Sequence, residues 1–224
     1  MTDLKFAFRQ LVKNPGFTAV AVLTLALGIG ANTAIFSVVD AVLLRPLPFP
    51  DPERLVMVWN QLPGQGLRQL PLSVPEFLDY QRGQQVFTGL AVFRQTDEDF
   101  AGPGDLVHVS VAMVSEQYFA TLGIRPQLGR GFTREEYEPG HGPVMVLDSG
   151  FWQRQFAGER GVVGRDTVFN GTTYKIVGVV RDGMAFLPMK VDVWIPMAMG
   201  PQGLSRENHS LTALARLKPG VQIS

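Results

Sequence analysis

Between Asn14 and Val39 the chain carries no charged residue. Within that interval Phe17–Val39 reads FTAVAVLTLALGIGANTAIFSVV, 23 residues that rise about 35 Å as a helix at 1.5 Å each. That length crosses a hydrocarbon core of about 30 Å with some tilt. A helix buried inside a soluble domain is rarely so long and usually keeps a polar stripe. A cleaved secretory signal has a shorter apolar region, about 7–15 residues, followed by small residues at its cleavage site. Here the run is longer, and the bulky Ala41-Val42-Leu43-Leu44-Arg45-Pro46 follows it. The sequence therefore predicts one uncleaved transmembrane helix over residues 15–44.

The flanks orient this helix. Lys5, Arg9 and Lys13 precede it against the single acid Asp3, whereas Asp40 and Arg45 follow it. Basic residues are retained on the cytoplasmic side, which puts the N-terminus inside and residues after 45 outside. Lys5, Arg9 and Lys13 are thus the predicted cytoplasmic topology determinants. Their spacing of four places them on one helical face, with Leu4, Phe8 and Leu11 near another. Residues 1–14 read either as a cytoplasmic amphipathic segment on the inner leaflet or as a plain basic flank. Asn14-Pro15-Gly16 is expected to break the chain before the span. Inside it, Ala26, Gly30 and Ala34 recur every four residues, a spacing that lets membrane helices approach closely. Asn32, Thr33 and Ser37 add polar groups that lipid does not satisfy.

Composition fits an anchored domain. Charged residues make up 18% of the chain, below the roughly 25% of a soluble domain, and the uncharged span accounts for part of the deficit. The 20 basic and 20 acidic residues divide into three against two up to Leu44 and 17 against 18 from Arg45 onward. Neither part has the basic excess of a nucleic-acid binder. With no Cys, the chain has no disulfide, thiol nucleophile or cysteine-ligated metal.

The remainder, residues 45–224, is long enough for a real core. Arg45–Pro52 holds four prolines in eight residues and reads as a stiff, non-helical connector. Leu55–Trp59, Leu90–Phe93, Val107–Val111, Val144–Leu147, Val191–Ile195 and Leu211–Leu217 have strand character. Ser73-Val74-Pro75-Glu76 is a capping box that opens a helix ending at Gly83 or Gly89, with Phe77, Tyr80 and Gln84 near one face. Ser115–Phe119 opens a short helix stopped by Gly123. Asp148–Phe156 is predicted helical, with Phe151, Trp152 and Phe156 as its apolar side. Asn170-Gly171 joins Val168–Asn170 to Thr173–Val180 as a hairpin, because both turn residues tolerate positive φ. Short strands interrupted by short helices predict an α+β fold rather than a doubly wound parallel sheet.

Residues suited to catalysis are scattered. There is no G-x-x-x-x-G-K-[ST] phosphate loop, and Gly28-Ile29-Gly30 lies in the span. His108, His141 and His209 have no ligand spacing and read as ordinary surface or strand residues. Asp97-Glu98-Asp99 and Glu135-Glu136 with Glu138 read as solvated acidic surface, lacking the loop glycine of a calcium site. Ser149-Gly150 lacks the G-x-S-x-G elbow of a nucleophile. Asn170-Gly171-Thr172 and Asn208-His209-Ser210 match the glycosylation pattern, which has meaning only in a eukaryotic secretory pathway. No catalytic, cofactor-binding or metal site is expected, and no nucleic-acid partner.

Longer strings carry a family resemblance. Residues 5–45 (KFAFRQLVKNPGFT…ALGIGANTAIFSVVDAVLLR) resemble the start of bacterial ABC transporter permeases of the macrolide-exporter type, which have a MacB-like periplasmic core domain. The continuation RPLPFPDPERLV (Arg45–Val56) resembles the branch called acidobacterial duplicated orphan permeases. Further matches are VSEQYFATLGI (Val114–Ile124), LGRGF (Leu128–Phe132), FWQRQF (Phe151–Phe156) and VGR (Val163–Arg165). NGTTYKIVGV (Asn170–Val179), DVWIP (Asp192–Pro196) and ARLKPGV (Ala215–Val221) complete the series in order along the whole chain.

The resemblance implies a subunit of the bacterial inner (plasma) membrane. It implies one membrane helix leading into a periplasmic core domain over 45–224, with membrane lipid, a second permease and a separate ABC ATPase subunit as partners. Motion generated by the ATPase would be relayed to the periplasmic domain. In the family that domain continues beyond Ser224 and three more membrane helices follow, so the chain is expected to be a truncated permease. A stand-alone membrane-anchored binding or adaptor module is the alternative.

Overall fold

The computed structural model describes residues 9, 12–39, 48–62, 64, 66–101, 106–184, 190–199 and 205–221. The chain forms two compact units, Met1–Leu47 and Pro48–Ser224.

In the first unit, helix α1 (Pro15–Val39) is apolar around its whole circumference. Pro15 occupies the first helical position, where its missing N–H costs nothing, and the Asn14 carbonyl accepts from Thr18 N–H at 3.0 Å. The expected break is therefore confined to Asn14, and Gly16 is already helical. Residues 40–44 of the predicted span, and residues 1–8, 10 and 11 of the predicted amphipathic segment, lie outside the described residues.

The second unit is mixed α+β, as the sequence predicts. Among the described residues its strands are β1 (Leu55–Val58), β2 (Asn60–Leu62), β3 (Leu67–Leu70), β4 (Phe87–Ala101), β5 (Leu106–Val114) and β6 (Leu128–Gly129). They continue as β7 (Val144–Asp148), β8 (Asp166–Phe169), β9 (Thr172–Val180), β10 (Val193–Pro196) and β11 (Thr212–Leu217). Helices α2 (Val74–Gly83), α3 (Tyr118–Leu122) and α4 (Ser149–Phe156) lie between them.

The main sheet runs β1-β11-β4-β5-β10-β7-β9-β6. Strand β8 pairs with both β9 and β4, so the path β4-β5-β10-β7-β9-β8 returns to β4 and closes a six-stranded ring. Pairing is parallel between β5 and β10 and between β7 and β9, and antiparallel at the other four joints. Each strand of the ring gives at least one residue to a single buried cluster: Phe100, Val109, Val111, Met145, Leu147, Phe169, Ile176, Val179, Val193 and Ile195. Helix α4 adds Phe151 and Phe156, whose rings meet Phe100 edge-on at 5.2 and 6.1 Å. Every residue of β7 is buried because odd positions face this cluster while Val144 and Val146 face the opposite one.

Where β11 replaces β8 beside β4, the sheet is open and covered on both faces. Helix α2 lays Phe77 against Leu90, Val92, Ala213 and Ala215. On the other face Tyr118 and Leu122 of α3 pack on Ala91, Phe93 and Leu214.

Several local expectations hold in detail. Ser73 and Glu76 form the predicted capping box of α2, which ends at Gly83. Gly123 caps α3 in the left-handed region, and Asn170 and Gly171 both have positive φ in the β8–β9 turn. Other expectations change. Tyr80 leaves the core face of α2, and its hydroxyl donates to Asn60 Oδ1 at 2.7 Å. The proline-rich connector is non-helical at 48–51, yet Pro52–Arg54 forms a 3-10 turn with proline at its first position. Strand β4 is far longer than Leu90–Phe93 because its distal half serves the ring.

Strand β6 passes so close to β9 that side chains are excluded. A Cβ on Gly178 would sit 2.2 Å from the Arg130 carbonyl oxygen, and one on Gly129, at φ +70°, 2.3 Å from that of Val177. We therefore expect Gly178→Ala to destabilise the domain by at least about 3 kcal/mol in denaturant unfolding, because neither backbone can retreat. Gly161→Ala, whose added Cβ meets nothing nearer than Glu159 Oε1 at 3.8 Å, should stay within about 0.5 kcal/mol of the parent.

Candidate functional site

The residues marked by the sequence lie in the first unit. Along α1 the large apolar side chains, Phe17, Leu23, Leu27 and Ile35 among them, are 57–73% exposed. None of them is buried among the described residues, and water is a poor solvent for such a surface, whereas lipid suits it. By length and composition α1 qualifies as a membrane-crossing helix. Ala26, Gly30 and Ala34 occupy one exposed face, and no atom outside the helix lies within 4 Å of a Cβ built on Gly30. Thr24 and Ser37 hydroxyls donate back to the Val20 and Thr33 carbonyls at 2.8 Å, so Ser37 is satisfied within its own helix. Arg9 and Lys13 are exposed, while Lys5 lies outside the described residues.

In the second unit several charged residues act as structural ties. Asp192, 3% exposed just before β10, accepts from Arg154 Nη2 at 2.6 Å, from Lys190 Nζ at 2.9 Å and from Ser110 N–H at 3.2 Å. That carboxylate binds the FWQRQF helix to the DVWIP strand. Nearby, buried Asp148 caps α4, with Oδ1 accepting from Gly150 and Phe151 N–H at 2.7 and 3.2 Å. Burial raises the Asp148 pKa above the ordinary carboxylate range, and the Asp182 and Asp192 charges add to the shift while the two N–H donors oppose it.

A second tie corrects the reading of the second acidic cluster as solvated surface at Glu136 alone, since Glu135 and Glu138 are exposed as expected. Glu136 accepts from both Arg130 Nη atoms at 2.7 and 2.8 Å and from Thr133 N–H at 2.8 Å, completing a capping box. The Arg130 hydrogen bonds hold Glu136 below the usual carboxylate pKa. Burial pushes the neighbouring Tyr137 phenol strongly upward, with the Glu116 and Glu136 charges adding. In the other acidic cluster Asp97 and Asp99 are exposed on β4, and Asp99 pairs with His108 at 2.9 Å. His209 is half-buried, with Nδ1 3.1 Å from the Pro71 carbonyl. Among the described residues no group of three His, Asp or Glu converges to hold a metal ion.

These ties meet a family model. Residues 18–224 match the MacB-like periplasmic core domain. The chain belongs to that family.

Solved structures agree in fold. A permease-protein domain from Porphyromonas gingivalis matches with TM-score 0.62 at 16% identity, over 78% of this chain and 79% of that one. The periplasmic region of MacB from Actinobacillus actinomycetemcomitans matches with TM-score 0.56 at 15% identity, over 75% of each chain. The extracellular domain of the noncanonic ABC-type transporter YknZ from Gram-positive bacteria gives 0.56 at 11% identity, over 74% and 84%. No curated protein sequence matches. A MacB-like periplasmic domain and an apolar N-terminal helix together make this a membrane-anchored permease component.

Two of the structural residues had readable signals: Thr133-x-x-Glu136 is a capping box, and Asp148 precedes a helical pattern. The Arg154–Asp192 pair had none, because 38 residues separate its partners.

The raised Asp148 pKa sets a pH test. A carboxyl held above its unfolded value stabilises the fold when protonated, and the charged form carries a cost that appears as pH rises through the folded pKa. Asn caps helices as well as Asp does. Asp148→Asn should therefore raise the thermal midpoint at pH 7.5. That advantage should vanish near pH 3.5, as followed by circular dichroism.

Proposed function

We propose that the chain is the membrane anchor and periplasmic domain of a permease subunit that relays motion from a separate ATPase, with no catalytic step of its own. The observation that carries this reading is an apolar helix with none of its described residues buried, in the same chain as a MacB-like periplasmic core domain. A domain closed around its own core and fed by one membrane helix is suited to moving as a body. Arg9 and Lys13, with Lys5 before them, keep the N-terminus cytoplasmic and residues after 45 outside. Ala26, Gly30 and Ala34 form the face on which another membrane helix, from a second permease or the rest of this one, packs. The chain acts as part of a larger permease; a stand-alone adaptor is the competing outcome.

Fractionation and topology test the anchor. The chain should resist alkaline carbonate extraction, and alkaline phosphatase fused after Val56 should be active. Replacing Lys5, Arg9 and Lys13 by Glu should abolish that activity, and a reporter that remains active would remove the topology assignment. Gly30→Leu should weaken self-association in a membrane dimerisation assay several-fold without reducing insertion. Unchanged association would remove the packing face.

A further inference from the structure

The chain comes into the second unit through Pro48–Arg54 and the described residues end just past β11, and these two segments are bound together by two arginines. Leu55 of β1 lies opposite Arg216 of β11 in antiparallel register. Arg216 donates from Nε to the Thr121 carbonyl at 2.8 Å, and from Nη1 to the Pro50 and Asp51 carbonyls at 2.7 and 3.2 Å. Arg54 reaches the opposite way, donating from Nε and Nη2 to the Leu217 carbonyl at 3.0 and 2.6 Å and from Nη1 to Asp51 Oδ2 at 3.1 Å. Beneath them Phe49 is buried in the core against the α3 face. Pro50 covers Gly123, where a Cβ would lie 2.9 Å from the proline ring.

This arrangement is poor as a device for stability alone. Two guanidinium groups are adjacent, and burial together with the Arg54 charge lowers the Arg216 pKa. Arg216 Nη2 and Thr121 Oγ1 are both buried without a hydrogen-bond partner. Unpaired buried polar atoms carry a cost that an apolar pair of similar shape would avoid. What the arrangement supplies is geometry: two planar forks fix four carbonyls drawn from three separate segments, which a point charge or an apolar contact cannot do.

We propose that Arg54 and Arg216 are positioning residues that lock segment 48–54 to β11 and α3, so that displacement of the segment moves the sheet with it. The proposal rests on the reading of the chain as a motion-relaying subunit. Its test measures the lock itself, so failure of the lock and failure of that reading are separable.

The test uses the whole chain in lipid nanodiscs. Because the chain has no Cys, spin labels can be placed cleanly at Pro48→Cys and Arg82→Cys, both exposed positions of the second unit. The parent should give one narrow distance distribution. Arg216→Met should broaden it, and amide exchange at 53–55 should accelerate about ten-fold while amides of β7 and β9 keep their protection. Arg54→Met should act in the same direction, and Arg216→Lys, which keeps charge but loses the fork, should not restore the narrow distribution. An unchanged distribution in both Met variants, full restoration by Lys, or protection lost evenly across the domain would overturn the proposal. An intact lock in a chain whose N-terminus proves to be periplasmic would instead remove the functional reading.

Discussion

Strand β8 is hydrogen-bonded on both sides, to β9 through the Asn170-Gly171 hairpin and to β4 through Phe100 and Ala101. That double pairing turns an open mixed sheet into a ring, and much of the second unit follows from it. A ring of six strands is narrower than the barrels of about eight whose interiors side chains just fill, so it leaves no channel. Phe100, Phe169 and the α4 aromatics fill its interior, and the plug helix then needs to be held at both of its ends. Asp148 and Asp192 supply that fixation at the rim, one as cap and the other as the anchor of Arg154.

The strings that resemble the macrolide-exporter permeases acquire a physical meaning in this frame. LGRGF and NGTTYKIVGV meet where Gly129 and Gly178 let two backbones pass without side chains. FWQRQF and DVWIP meet through Arg154 and Asp192. PFPDPERLV and ARLKPGV meet through Arg54 and Arg216. Each pair of strings is one contact, so these parts of the resemblance coincide with internal ties of the domain.

The first unit obeys different rules. Its helix is specified by the absence of charge and by backbone bonds made within the segment, and it needs no partner in this chain to be formed. Its Thr24 and Ser37 hydroxyls return to the helix's own carbonyls, whereas the Asn32 side chain in its middle has no such bond among the described residues.

Sequence by itself determined the features that depend on neighbours a few residues apart. The membrane helix, the Ser73–Glu76 capping box, the Gly123 stop and the Asn170-Gly171 turn were all legible, because period, cap and positive φ are local properties. The α+β class followed from their alternation. Only the tertiary structure decided the ring, the length of β4, the two-residue strand β6 and the separate β2–β3 hairpin. It also turned Glu136 from a surface acid into a tie and placed Asp192 and Arg216 in half-buried networks. Phe100 and Phe169, or Pro50 and Arg216, meet across long stretches of chain, and no periodicity within either stretch encodes its partner. Those contacts exist because closing the sheet buries apolar surface on both of its faces at once, a condition that belongs to the whole domain.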